Sequence, residues 1–162
     1  LEEAKAGDRR VDRTIDRIIA SINKSLTEKY WHDESHLISK YGSKVFSYER
    51  LAIIKMNLYT KLWERRGGPT SEQQQAINAF EEVIPELVNA DQLLAEIALG
   101  EAHDTSPPEN HRKARSYQSA LTKADKYFER ALSYINKDRP IWAIKYFEKS
   151  WEYSQQAIKL GQ

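Results

Sequence analysis

No cysteine occurs among the 162 residues. That excludes a disulfide scaffold, thiolate zinc sites, iron–sulfur clusters and thiol nucleophiles, although it leaves the compartment open because secreted proteins also exist without disulfides. Six glycines and five prolines, mostly clustered, leave long stretches free of backbone breakers. No apolar run approaches the ~18 residues that span a bilayer, and no charged segment followed by an apolar one marks a targeting leader. Charge of one sign is also missing. With 25 basic against 24 acidic residues the formal net charge is +1, so no wholesale attraction to nucleic acid or anionic lipid is indicated. What is present is 40% hydrophobic, 30% charged and 10% aromatic residues, too apolar for a disordered chain and too polar for a membrane protein. A chain of this length folds as one domain, 1–162, and buries roughly 70% of its unfolded surface. It begins at Leu1 without an initiator methionine, which suggests a piece of a larger protein or a removed leader.

The apolar residues recur at helical spacing, and the fold class is all-α. Val11, Ile15, Ile18, Ile22 and Leu26 step by threes and fours, an amphipathic helix from about Asp8 to Leu26. Residues 27–42 lose the period and hold Tyr30, Trp31, His32, Asp33, Glu34, His36 and Tyr41, a long connection with aromatic anchors. Ser43 is the expected cap of a second helix to about Arg66, whose Val45, Phe46, Leu51, Ile54, Leu58, Tyr59 and Leu62 make one broad apolar stripe. Gly67, Gly68 and Pro69 end it. A third helix opens at Thr70 or Ser71 and runs to Gly100 with a kink at Pro85. Ser106 and Pro107 read as the cap and first position of a fourth helix reaching about Asn136. After a turn at Asp138 to Pro140 a fifth helix runs almost to Gln162. Short links imply an up-and-down bundle of about five helices.

Charge is unevenly laid out along that bundle. Residues 67–111 contain nine acidic and no basic residues, whereas the flanking blocks are net basic. The acidic third helix reads as steering its neighbours and solvating the surface rather than as an acidic ligand face.

His32 and His36 bracket Asp33, Glu34 and Ser35. Two histidines at i and i+4 on a helix share a face, as a divalent metal requires. The zincin pattern needs glutamate after the first histidine, where Asp33 stands, and no third ligand is evident, so a polar loop with a capping aspartate is the stronger reading. Glu81, Glu82, Glu86, Glu96 and Glu101 read as the wet side of the third helix. No Glu-x-x-His pair occurs in duplicate, as a di-iron bundle would need. Phosphate-cradling glycine loops and the hydrolase nucleophile elbow are absent. Asn23, Lys24 and Ser25 form a glycosylation sequon, relevant only in an exported protein.

The last two helices are the most patterned region. Ala131, Ala143 and Ser150 are small residues that let two helices approach closely while Tyr127, Tyr134 and Phe147 fill the gaps. Ala131, Tyr134, Ala143, Phe147 and Ser150 match small and aromatic positions of a tetratricopeptide repeat, and this repeat-like αα-hairpin resembles a single such unit. Tyr127, Arg130 and Gln155 depart from the pattern, and no second copy follows. More widely, the order DRRVDRTIDRIIASINKSL, YWHDESHL, GSKVFSYERLAI, ELVNADQLLAEIAL and AIKYFEKSWEYSQQAI resembles uncharacterised helical segments of archaeal and bacterial secreted or cell-surface proteins. That resemblance implies a location and a structural role, with no catalytic motif to transfer.

Apolar stripes on every helix give the fold a basis without a cofactor or metal. The first expectation is therefore a non-enzymatic structural or protein-interaction module of a larger secreted or cell-surface protein, extracellular or surface-attached. Its partners are another protein or a second copy, with no nucleic acid, membrane insertion or small-molecule substrate. A second expectation is a cytoplasmic tetratricopeptide-like adaptor that binds a partner peptide through Tyr134, Trp142, Tyr146 and Trp151. Exposure of those aromatics favours the adaptor and full burial favours the structural module. A third is a metal-dependent enzyme using His32 and His36.

Overall fold

Asp8 starts the first helix by accepting hydrogen bonds from the backbone N–H groups of Arg10 at 2.7 Å and Val11 at 3.2 Å, satisfying donors that a helix end leaves free. In the computed structural model, which describes residues 1–161, five α-helices follow one another. They are α1 (Arg9–Ser25), α2 (Ser43–Arg65), α3 (Ser71–Asp104), α4 (His111–Ile135) and α5 (Pro140–Gly161). Among the described residues there is no strand, only a bridge between Trp31 and Leu37, so the chain is an all-α bundle. No helix among them is long and apolar enough to cross a membrane.

Several boundaries differ from the sequence reading. Gly42, not Ser43, is the N-cap of α2, and no side chain caps it. Thr70 caps α3 reciprocally with Gln73. That helix passes Pro85 undivided, as the sequence reading has it, but continues beyond Gly100 to Asp104. Pro107 therefore lies in the connecting loop, and Asn110 caps α4 by accepting from the N–H groups of Arg112 and Lys113. The Tyr117 hydroxyl donates to the carbonyls of Ala102 and Thr105 and ties that loop down. At the end of α2, Gly67 and Gly68 take φ of +99° and +94°, backbone that side chains resist.

The largest departure is on α2. Its core side is Val45, Phe46, Ala52, Ile53 and Met56, all fully buried, whereas Leu51, Ile54 and Leu58 are 40 to 60% exposed. The apolar residues of α2 thus divide between opposite faces.

The main core draws on all five helices, with a smaller cluster around Ala102, Tyr117, Ala120, Leu121 and Ala157. The α4–α5 contact is the most extensive, and α5 also packs on α3 and α2. Trp151 of α5 is 3% exposed; its ring meets Phe46 at 5.9 Å between centroids and lies over Gly42, where a Cβ would come within 2.6 Å of the indole and 2.7 Å of the Leu37 Cβ. Glycine at 42 is required by that close approach. Trp151→Ala is expected to lower stability by ~3–5 kcal/mol, and Gly42→Ala to lower the urea midpoint by forcing the indole out of its seat. An unchanged midpoint for Gly42→Ala shows that the ring does not rest there.

Candidate functional site

Tyrosines recur at seven-residue spacing on both helices of the C-terminal hairpin, Tyr127 and Tyr134 on α4 and Tyr146 and Tyr153 on α5. Two helical turns separate each pair, so each pair shares a face. Antiparallel pairing interleaves them in one continuous stack. From one end the order is Tyr153, Tyr127, Tyr146, Tyr134 and Trp142, with centroid separations of 5.5, 5.8, 5.3 and 5.9 Å and interplanar angles between 3° and 23°. Cations cover the stack. Lys123 lies 5.1 Å from the Tyr153 centroid, Arg130 4.5 Å from Tyr146, Lys137 5.6 Å from Tyr134 and Lys145 4.8 Å from Trp142. Lys123, Arg130 and Lys137 repeat the seven-residue step. Ring faces are thereby taken by neighbours and cations. Ring edges, phenol hydroxyls and positive charge remain for a partner.

Of the four residues the sequence offered as a docking surface, the structure brings three together. Trp142 is 44% exposed, and Tyr134 and Tyr146 are half-buried. Trp151 is corrected: it faces the opposite side of α5, enclosed by Phe46 and Gly42, and is a core residue. Tyr127 and Tyr153 belong to the stack instead. Their spacing from Tyr134 and Tyr146 was the signal that could have found them.

The His32 to His36 segment is a loop, not a helix, so its two imidazoles do not share a helical face. The His32 N–H donates to the His36 carbonyl at 2.7 Å. The Asp33 carboxylate accepts from the Ser35 and His36 N–H groups, both at 2.9 Å. The Ser35 N–H bond and then the His36 ring hold its carboxyl well below the usual range. His36 is held from both sides, Nδ1 at 2.8 Å from Asp33 and Nε2 at 3.0 Å from Glu101 of α3. Asp33 above all raises its pKa. Ser35 Oγ sits 3.0 Å from the same Nδ1. In a Ser-His-Asp triad nucleophile and carboxylate occupy opposite ring nitrogens; Asp33 shares Nδ1 with Ser35 and does not meet this, whereas Glu101 on Nε2 does lie across the ring from Ser35. The hollow beside them, about 330 Å³, is lined by His36, Leu94, Glu101, Trp151 and Gln155 among others. Among the described residues no group of three or more histidines and carboxylates is placed to hold a metal ion.

The residues that sequence reasoning missed lie in the core. Glu49 of α2, Asp91 of α3 and Glu148 of α5 are at most 9% exposed. Arg50 Nη1 pairs with Glu148 at 2.8 Å. Neither oxygen of Asp91 has a hydrogen-bond partner among the described residues, nor does Glu49 Oε2. Burial pushes the Glu49 carboxyl up to about 7 against the softening of the Ser25 hydroxyl. Burial, then the charges of Glu49 and Glu148, raise Asp91 well above the usual carboxylate range, and Arg50 opposes them weakly. Glu148 is raised by burial and held back by Arg50.

Each carboxyl thus holds its proton more tightly in the folded chain than in the unfolded one. The stabilisation from Glu49 is complete below its ordinary pKa of 4.5 and is lost as the pH rises through about 7. Between about pH 5 and pH 8, the wild-type melting temperature is expected to fall relative to Glu49→Gln and to Asp91→Asn, whose amides do not ionise. The His36 tether, loosened over the same direction of pH, is common to all three proteins and cancels in the difference. Parallel pH profiles contradict the assignment of neutral buried carboxyls.

No family model matches this chain, nor does any curated protein or solved structure.

Proposed function

We propose that this chain is a non-enzymatic protein-interaction module of a larger secreted or cell-surface protein, and that a partner docks on the outer face of the α4–α5 hairpin. The observation that carries this reading is the stack of five aromatic rings under four cations. Such a surface suits a carboxylate-rich protein segment. Hydroxyls donate to carboxylates, the basic groups supply attraction and steering, and the pre-stacked rings lose little side-chain entropy on binding. Trp142, the most exposed ring, stands at the end near the α4–α5 turn and is the natural anchor. Placement outside the cell comes from the sequence resemblance alone. The cytoplasmic adaptor is the second reading. It is favoured by the exposure of Trp142 and the half-buried Tyr134 and Tyr146, the outcome named for it above, and would use the same outer face without Trp151.

Titration of the isotope-labelled chain with a glutamate-rich peptide tests the docking face. Amide and indole signals of Trp142, Tyr146, Tyr134 and Arg130 are expected to shift together, to recover as salt is raised, and to need about tenfold more peptide in Trp142→Ala. Shifts confined to the basic residues of α1 and α2, or equal binding by Trp142→Ala, overturn the reading.

A further inference from the structure

The outward face of α2 is made by Lys44, Leu51, Ile54, Leu58, Lys61 and Arg65, spaced by seven, three, four, three and four residues and all exposed. Leu51, Ile54 and Leu58 are 41, 40 and 60% exposed, an apolar stripe with basic groups at both ends and no acidic group on the line. The outward face of α3 is its counterpart. Glu82, Glu86, Asn89, Leu93 and Glu96 are exposed at the same alternating spacing, Leu93 at 57%. Among the described residues, none of these three glutamates and none of Lys44, Lys61 and Arg65 makes an ion pair. Of the acids of α3, Glu101 alone makes an ion pair among the described residues, with His36, and Asp91 is buried.

We propose that the outward face of α2 takes a second copy of this chain, through the outward face of that copy's α3. Charge complementarity at the Lys61 and Arg65 end of the α2 face selects this occupant. Laid antiparallel with Leu93 over Ile54, equal axial steps of ~1.5 Å per residue bring Lys61 opposite Glu86 and Arg65 opposite Glu82, while Leu93 enters the leucine and isoleucine stripe. Two α2 faces meeting each other would oppose basic ends with basic ends. The contact is heterologous: each pair leaves the α3 face of one copy and the α2 face of the other free, so copies add head to tail. This surface lies on different helices from the hairpin stack and does not depend on the docking reading there.

Sedimentation velocity on the wild-type chain, from about 10 μM to about 1 mM at low salt, is expected to show the average mass at least doubling and passing beyond a dimer. In high salt it should return to the monomer. Leu58→Glu removes the α2 face and Leu93→Lys the α3 face. Each variant alone is expected to stay monomeric with an unchanged melting temperature, and an equimolar mixture to form dimers and nothing larger, because one good face of each kind remains. If Leu58→Glu changes the melting temperature, Lys61→Glu replaces it in the same mixture. Dimerisation of Leu93→Lys on its own means that two α2 faces pair and overturns the proposal. A wild-type chain that stays monomeric throughout also overturns it, and binding of a glutamate-rich amphipathic helix to α2 in that case identifies a foreign helix as the occupant.

Discussion

The close approach of α4 and α5 through small side chains is the constraint on which the other contacts depend. Ala124, Ala131, Ala143 and Ser150 are fully buried, and the Ser150 hydroxyl donates to the Ala124 carbonyl at 2.9 Å inside the seam. Seven residues separate Ala124 from Ala131 and Ala143 from Ser150, so each helix offers a smooth strip to the other. Helices that meet this closely have no room for large groups between them. The large aromatics are therefore displaced to the rim, where Tyr127 and Tyr134 of α4 interleave with Tyr146 and Tyr153 of α5. Trp142 closes the stack at the turn end.

The opposite side of α5 meets α3 and α2. Trp151 is pressed there against Phe46 and Gly42, which in turn fixes the end of the 26–42 connection. That connection is tied at its other end by Trp31, whose indole donates to the Ser25 carbonyl at 2.8 Å. Where α2, α3 and α5 meet, three carboxyl side chains share the interior with one guanidinium. A buried polar atom without a partner costs on the order of 1–3 kcal/mol, and Asp91 has two such oxygens. Burial favours the protonated form of the group, so the stability of the fold is linked to the proton concentration.

Much of this is legible in the residues alone. The helical period and the Gly67, Gly68 and Pro69 stop mark the elements, and the small residues of the hairpin mark its seam. The split face of α2 is not legible, because Leu51, Ile54 and Leu58 keep the same period as buried residues, and periodicity does not say which of two apolar faces turns inward. The start of α4 is ambiguous, since Ser106 and Pro107 carry a cap signature that Asn110 carries equally well. Asp91 and Glu49 look like ordinary solvent-facing acids in sequence, since burial is a property of the packed helices. Trp151 and Trp142 are alike in chemistry and separated only by their side of α5.

The proposed docking face follows from the same seam, which consumes the small residues and leaves the aromatics and cations outside. The sharpest test is the NMR spectrum of Ala131→Leu, read at the Tyr134 and Tyr146 ring protons, which stacking at 5.3 Å shifts upfield. A leucine in the seam is expected to part the helices and return those signals to ordinary tyrosine positions. Retention of the upfield shifts in a folded Ala131→Leu chain would contradict the claim that close helix contact builds the stack.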